Sequence, residues 1–234
     1  RGALILSATS ASAAVITGVI NITGLMLNMT SALMAIASGS LFVGLLLVAL
    51  ISSIVGMGLP ITSTYIIVAT LGASALIELG TTPLAAHLII FWFAQTATIT
   101  PPVCMTAFVA AQIAGAAPMR TGFESMRVAA ALYLVPLMFA YTNLLSGAPV
   151  RMIFDALAGM FALALVPVVT EGWFRHRLGT SGRVLAALAS LAFFMSAFRI
   201  ELGHTLFWFT VASILVGLVG TRFFAISSPQ KVQA

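Results

Sequence analysis

Two stretches of this chain place helix-breaking residues inside sequence apolar enough for a lipid bilayer: Gly56-Met57-Gly58-Leu59-Pro60-Ile61-Thr62-Ser63 and Thr98-Ile99-Thr100-Pro101-Pro102-Val103. Proline has no N–H to donate and glycine resists helical order, so a helix opens at each of them. Backbone groups left open in hydrocarbon are costly unless protein, water or an ion meets them. Irregular backbone at membrane depth is therefore confined to the walls of cavities. The two breaks are accordingly the candidate ion and substrate site.

Composition sets the class. Of 234 residues, 61% are hydrophobic and 6% charged, against about 25% charged in soluble domains. The expected fold is all-α: a polytopic transmembrane helical protein in contact with membrane lipid. The ten Lys and Arg residues are scattered singly and form no patch for nucleic acid. A single cysteine, Cys104, excludes an internal disulfide and a multi-cysteine metal site. No cofactor is expected. The chain begins at Arg1, and its first apolar segment is too long and too weakly flanked by positive charge for a cleaved signal peptide. The expectation is a portion of a longer protein, because transporters are commonly built from two repeats and only one set of breaks is visible.

In chain order, residues 11 to 33 are long enough to span and carry Asn21, Thr23 and Asn28. Ser38-Gly39-Ser40 reads as a turn and N-cap. Residues 41 to 55 make only about 22 Å of helix, short of a hydrocarbon core of about 30 Å. With Ile61 to Ile77 they suggest a re-entrant hairpin over 41–77 whose tip is the first break, or else two kinked full spans. Residues 84 to 114 are too long for one simple span, and a break at Thr100-Pro101-Pro102 divides them into two half-helices. A loop holding Arg120 and Arg127 follows, then helices near 128–145, 152–170, 184–198 and 204–223, with single kinks at Pro136 and Pro167. The division expected is 1–145 as one repeat of a transport domain and 146–234 as additional helices.

Placing Arg120 and Arg127 in the cytoplasm puts Arg175, Arg177, Arg183, Arg222 and Lys231 there too, leaving Arg151 and Arg199 opposite. By the positive-inside rule the C-terminus is cytoplasmic.

Carbonyls freed by glycine and proline, together with Thr and Ser hydroxyls, are hard neutral ligands suited to Na⁺ in discontinuous helices. The cation candidates are Gly56, Gly58, Thr62, Thr98 and Thr100; the substrate candidates are Pro60, Ser63, Pro101 and Pro102. No carboxylate lies near either break, which argues against Mg²⁺, Ca²⁺ and an Asp or Glu proton relay. Half-helix N-termini favour an anionic substrate group. Glu78 and His87 flank a turn and read as interfacial. Arg151 and Asp155 read as a weak i,i+4 pair. Trp92, Tyr141, Trp173 and Trp208 read as interfacial anchors. His176 and His204 lack metal-like partners. An intramembrane serine protease using Ser74 in Gly72-Ala73-Ser74-Ala75 and His204 is the reading from another class, although small residues at that spacing are ordinary helix-packing residues.

At Gly56-Met57-Gly58-Leu59-Pro60, Leu84-Ala85-Ala86-His87, Ile99-Thr100-Pro101-Pro102-Val103 and Ala114-Gly115-Ala116-Ala117-Pro118-Met119-Arg120-Thr121-Gly122, the chain resembles the large membrane subunit of TRAP transporters, most closely the fused permeases of the TAXI branch. The resemblance covers about residues 10 to 145. It implies half of an elevator-type secondary transporter in the bacterial inner membrane. It further implies sodium symport of a small organic anion, a carboxylate, delivered by a periplasmic substrate-binding protein. The tip and the second break would form the second-repeat half of the site. Cys104 departs from the glycine that many relatives have after the Thr-Pro-Pro-Val run. Another ion-coupled carrier of the same hairpin design is the alternative.

Overall fold

The computed structural model describes residues 11, 15, 16, 18, 19, 22–57, 59–145, 147–174, 176–197, 208 and 210–216. Gly58, Asn21, Arg175, Arg199, Glu201, His204, Arg222 and Lys231 lie outside the described residues. The chain is that of a polytopic helical membrane protein, with one two-residue antiparallel ladder as its described non-helical pairing. It divides into two compact units, Arg1–Ala140 and Tyr141–Ala234.

The first unit contains α1 (Leu25–Ala37), α2 (Leu41–Val55), α3 (Ile61–Glu78), α4 (Pro83–Ala97), α5 (Met105–Ala114) and α6 (Pro118–Val128). A 3-10 turn (Ala130–Tyr133) and α7 (Val135–Tyr141) follow. The continuous helix expected over 11–33 is interrupted. Thr23 and Gly24 form a turn, and Gly24 takes φ 68, a left-handed conformation that costs glycine no Cβ clash. Further on, Ser40 caps α2 by accepting the N–H of Val43 at 3.5 Å, and Thr82 caps α4 by accepting that of Ala85 at 3.2 Å. Pro83 takes the first helical position, where its missing N–H costs nothing.

Helices α1 to α4 pack together around Leu45, Val48, Leu76, Ile89 and Ile90, all fully buried. Gly72 lets α3 approach its neighbours: a Cβ there would lie 3.3 Å from Val48 of α2 and 3.9 Å from Leu33 of α1. Two residues on, the Ser74 hydroxyl pairs with that of Thr30 at 2.8 Å. The stretch Gly72 to Ala75 is thus a packing seam, as small residues in membrane helices commonly are.

Of this unit's helices, α3 is long and apolar enough to cross a membrane, whereas α2 has 15 residues. The two are joined through residues 56–60. α4 and α5 are separated by residues 98–104, so the long apolar run of 84–114 is broken around its prolines. The segment expected as a loop around Arg120 and Arg127 is instead helix α6. Gly115 ends α5 at φ 62, Pro118 opens α6, and exposed Phe123 beside buried Gly122 gives it two distinct faces. The helix expected at 128–145 is likewise bent: α6 and the segment Ala130–Tyr141 meet at 65°.

In the second unit, α8 (Pro149–Glu171) runs 23 residues through Pro167 and is long and apolar enough to span. Gly172, at φ 65, ends it. The ladder β1 (Trp173–Phe174) with β2 (His176–Arg177) leads into α9 (Thr180–Ser196). α8 and α9 pack together, Ala158, Ala162, Ala186 and Ala189 are buried, and the Ser190 hydroxyl donates across to the carbonyl of Ala162 at 2.8 Å. Residues 210–216 are helical, and Ala212 joins the cluster of Ala162, Ala192 and Phe193. Arg151 and Asp155, read as a weak i,i+4 pair, do pair, Nε to Oδ1, at 3.3 Å, but the pair is inside the structure. Asp155 is fully buried, and its Oδ2 also accepts the N–H of Asn143 at 2.8 Å.

Candidate functional site

Gly56 closes α2, its N–H donating to the carbonyls of Ser52 and Ile54. Its φ of −73 is ordinary right-handed backbone, so glycine is not required there by conformation. Contact requires it: a Cβ would lie 2.5 Å from the Ala97 Cβ, 2.8 Å from the Ser52 carbonyl oxygen and 3.5 Å from Thr64 Cγ2. The first break therefore sits against the end of α4, where the second break begins. Pro60 opens α3 and its carbonyl accepts both the N–H and the hydroxyl of Thr64, at 3.0 and 3.2 Å. Beyond it, Thr62 is exposed, whereas Ser63 and Thr64 are buried. The hydroxyl of Ser52, fully buried one turn before Gly56, meets no partner among the described residues.

At the second break the threonine hydroxyls turn back onto α4. Thr96 donates to the Phe93 carbonyl at 3.0 Å, Thr98 to that of Gln95 at 2.8 Å, and Thr100 to that of Thr96 at 2.6 Å. The Thr100 hydroxyl also meets the Tyr133 hydroxyl at 2.7 Å. Across the break, the N–H of Thr106 donates to the Thr98 carbonyl at 3.2 Å. Among the described residues no backbone N–H reaches the carbonyls of Ile99, Thr100, Pro101 or Pro102. The Pro101–Pro102 peptide is cis; Pro101 is half-buried and Pro102 exposed.

A cleft of about 310 Å³ opens beside this break, lined by Trp92, Gln95, Thr96, Thr98, Ile99 and Leu132. Trp92 is a wall of it rather than a free interfacial anchor: its Nε1–H donates to the Leu132 carbonyl at 2.9 Å and its ring meets Phe139 edge-on at 5.9 Å. α6 is seated on the prolines. At Gly122 a Cβ would lie 2.5 Å from the Sγ of buried Cys104 and 3.3 Å from Pro101 Cγ.

The structure thus brings Gly56 to the start of the Thr98–Pro102 break and places Thr98 on the cleft wall, while Thr100 is tied to Thr96 and Tyr133 beside it. Thr62 is exposed and is not among the residues that line that cleft. Tyr133, Ser52 and Thr64 are additions that local sequence did not single out, and Trp92 reads in sequence only as an interfacial anchor. Gly122 lies within a family motif, and only its packing explains it. What the break offers chemically is neutral oxygen: open carbonyls and hydroxyls whose protons are already committed. Among the described residues no three His, Cys, Asp or Glu side chains group to hold a metal.

Apolar helices broken at two adjacent polar points define a class, that of carriers which handle solute inside the membrane. Within it, the chain belongs to the family of the DctM component of the tripartite ATP-independent periplasmic transporters, whose profile matches residues 2–150. This is a family of secondary transporters, and its members work with a periplasmic substrate-binding protein and a small component. No curated protein and no solved structure matches the chain significantly.

Proposed function

We propose that the chain contributes one repeat of an elevator-type permease, over residues 1–145, followed by additional helices over 146–234. In this reading, sodium binds at the paired breaks and drives symport of a small organic anion, a carboxylate. The periplasmic binding protein delivers that anion, and the TAXI branch is the fitting one. The contact of Gly56 with Ala97 carries the reading, because it sets the first break against the second. Carbonyls near Gly56, Gly58 and Thr100 and the hydroxyl oxygens of Thr62, Thr98 and Thr100 are the cation ligands. Thr98 and Thr100 suit that role: with their protons turned onto helix carbonyls, their lone pairs remain for a cation. Pro60, Ser63, Pro101 and Pro102 border the substrate. The inner membrane is the setting, with the C-terminus in the cytoplasm as the distribution of basic residues favours.

The test is uptake of small carboxylates by the complete permease in proteoliposomes, with its small component and binding protein, with and without a sodium gradient. Uptake that needs sodium and the binding protein, with a higher sodium requirement in Thr100→Ala, is the expected result. Sodium-independent uptake removes the coupling site from the breaks. Uptake without a binding protein points to another ion-coupled carrier of the same design.

A further inference from the structure

Tyr133 lies on the 3-10 turn between α6 and α7, remote in sequence from both breaks, yet its hydroxyl is 2.7 Å from Thr100 Oγ1. The direction of this bond follows from proton counting. The Thr100 hydroxyl has one proton, and the Thr96 carbonyl at 2.6 Å can only accept it. Tyr133 must therefore be the donor. A hydroxyl oxygen accepts through two lone pairs, and Tyr133 takes one of them. The other is left in a direction set by two fixed partners, one on α4 and one on the 3-10 turn. The neighbouring residue of that turn, Leu132, is held in turn by the Trp92 Nε1–H at 2.9 Å. Two consecutive residues of one short turn thus latch onto the two ends of the segment Trp92 to Thr100, across the cleft that Leu132 and Trp92 line.

We infer that Tyr133 is a positioning residue for the cation site: by donating to Thr100 it aims the remaining lone pair of that hydroxyl at the bound cation. The inference rests on the sodium reading above. Tyr133 itself contacts no cation. Losing its hydroxyl leaves Thr100 held by the Thr96 carbonyl alone, and the ligand is then present but less firmly aimed.

The chain supplies its own reporter. Cys104 is its single cysteine, buried four residues after Thr100 at the start of α5. Alkylation of Cys104 by N-ethylmaleimide is followed in the purified protein in detergent. Sodium chloride is titrated against choline chloride at constant ionic strength, so no substrate is needed. The expected wild-type result is slower alkylation with sodium. In Tyr133→Phe the sodium-free rate stays as in the wild type, while the half-protecting sodium concentration rises by roughly fivefold, the effect of one lost hydrogen bond of about 1 kcal/mol. Thr100→Ser retains wild-type protection and Thr100→Ala loses it. Protection in the wild type with an unmoved half-protecting concentration in Tyr133→Phe overturns the positioning role and leaves the sodium reading standing. A Tyr133→Phe protein that alkylates faster without sodium, at an unchanged half-protecting concentration, also overturns it, because Tyr133 is then only a packing residue. No sodium protection in the wild type overturns both.

Discussion

The two units treat polar groups inside apolar sequence in opposite ways. In the second, α8 carries Pro167 without interruption, and the buried carboxylate of Asp155 is closed off by Arg151 Nε at 3.3 Å and the Asn143 N–H at 2.8 Å. The Ser190 hydroxyl is likewise spent on a carbonyl of the facing helix. In the first unit the helices stop at Val55 and Ala97, and no backbone N–H among the described residues reaches the carbonyls from Ile99 to Pro102. The two units thus differ in that buried side chains of the second are paired within it, whereas the first leaves a run of backbone carbonyls without N–H partners among the described residues. Closed polar groups stabilise a helix pair, and open ones are available to a ligand.

The contrast can be broken most directly at Asp155. Replacing it in Asp155→Ala removes the carboxylate from both Arg151 and the Asn143 N–H, and breaking a buried pair from one side costs about 3–5 kcal/mol. Unfolding of the purified protein in a graded detergent series should register this; a loss below about 1 kcal/mol means the pair is well solvated and the closure of the second unit is overstated.

Gly56→Val probes the first unit. It drives side-chain atoms into Ala97 and the Ser52 carbonyl, and overpacking of this kind costs about 1–3 kcal/mol. Uptake should fall well beyond that stability loss, since the two breaks are pushed apart. A Gly56→Val protein with normal uptake would show that their contact is incidental to transport.

Ser190→Ala should cost only about 1 kcal/mol, typical of one interhelical hydrogen bond, with uptake unchanged. Smallest of all is Glu124→Gln: the pair it makes with Arg127 at 3.4 Å is exposed on both sides. Its loss should shift the melting temperature by less than about 0.5 kcal/mol would, and a larger shift would mean that α6 is held by charge rather than by its packing on Cys104.

Much of the architecture was legible because it depends on local chemistry. The extent of α2, the cap at Ser40 and the interruption around Pro101 all follow from which residues sustain, begin or stop a helix. Reading failed where a residue has two roles. The apolar run 11–33 reads as one span, but Gly24 takes a left-handed conformation within it and forms a turn. Arg120 and Arg127 looked like loop residues because charge is scarce elsewhere; they ride on an amphipathic helix. Trp92 looked like an interfacial anchor, and it lines the cleft instead.

The site divides along the same line. Sequence alone determined that this is a helical membrane protein, that its apolar helices break at Gly56–Pro60 and Thr98–Pro102, and that the breaks carry neutral oxygen rather than carboxylate, since each of these is a property of composition or of a few adjacent residues. Only the tertiary structure decided that Gly56 rests on Ala97, that Gly122 seats α6 on Cys104, and that Tyr133 reaches Thr100 across 33 positions of chain. Such contacts leave no periodic or local trace. They exist because whole helices, each buried for its apolar face, come to rest where glycines allow close approach and where the few remaining hydroxyls find each other.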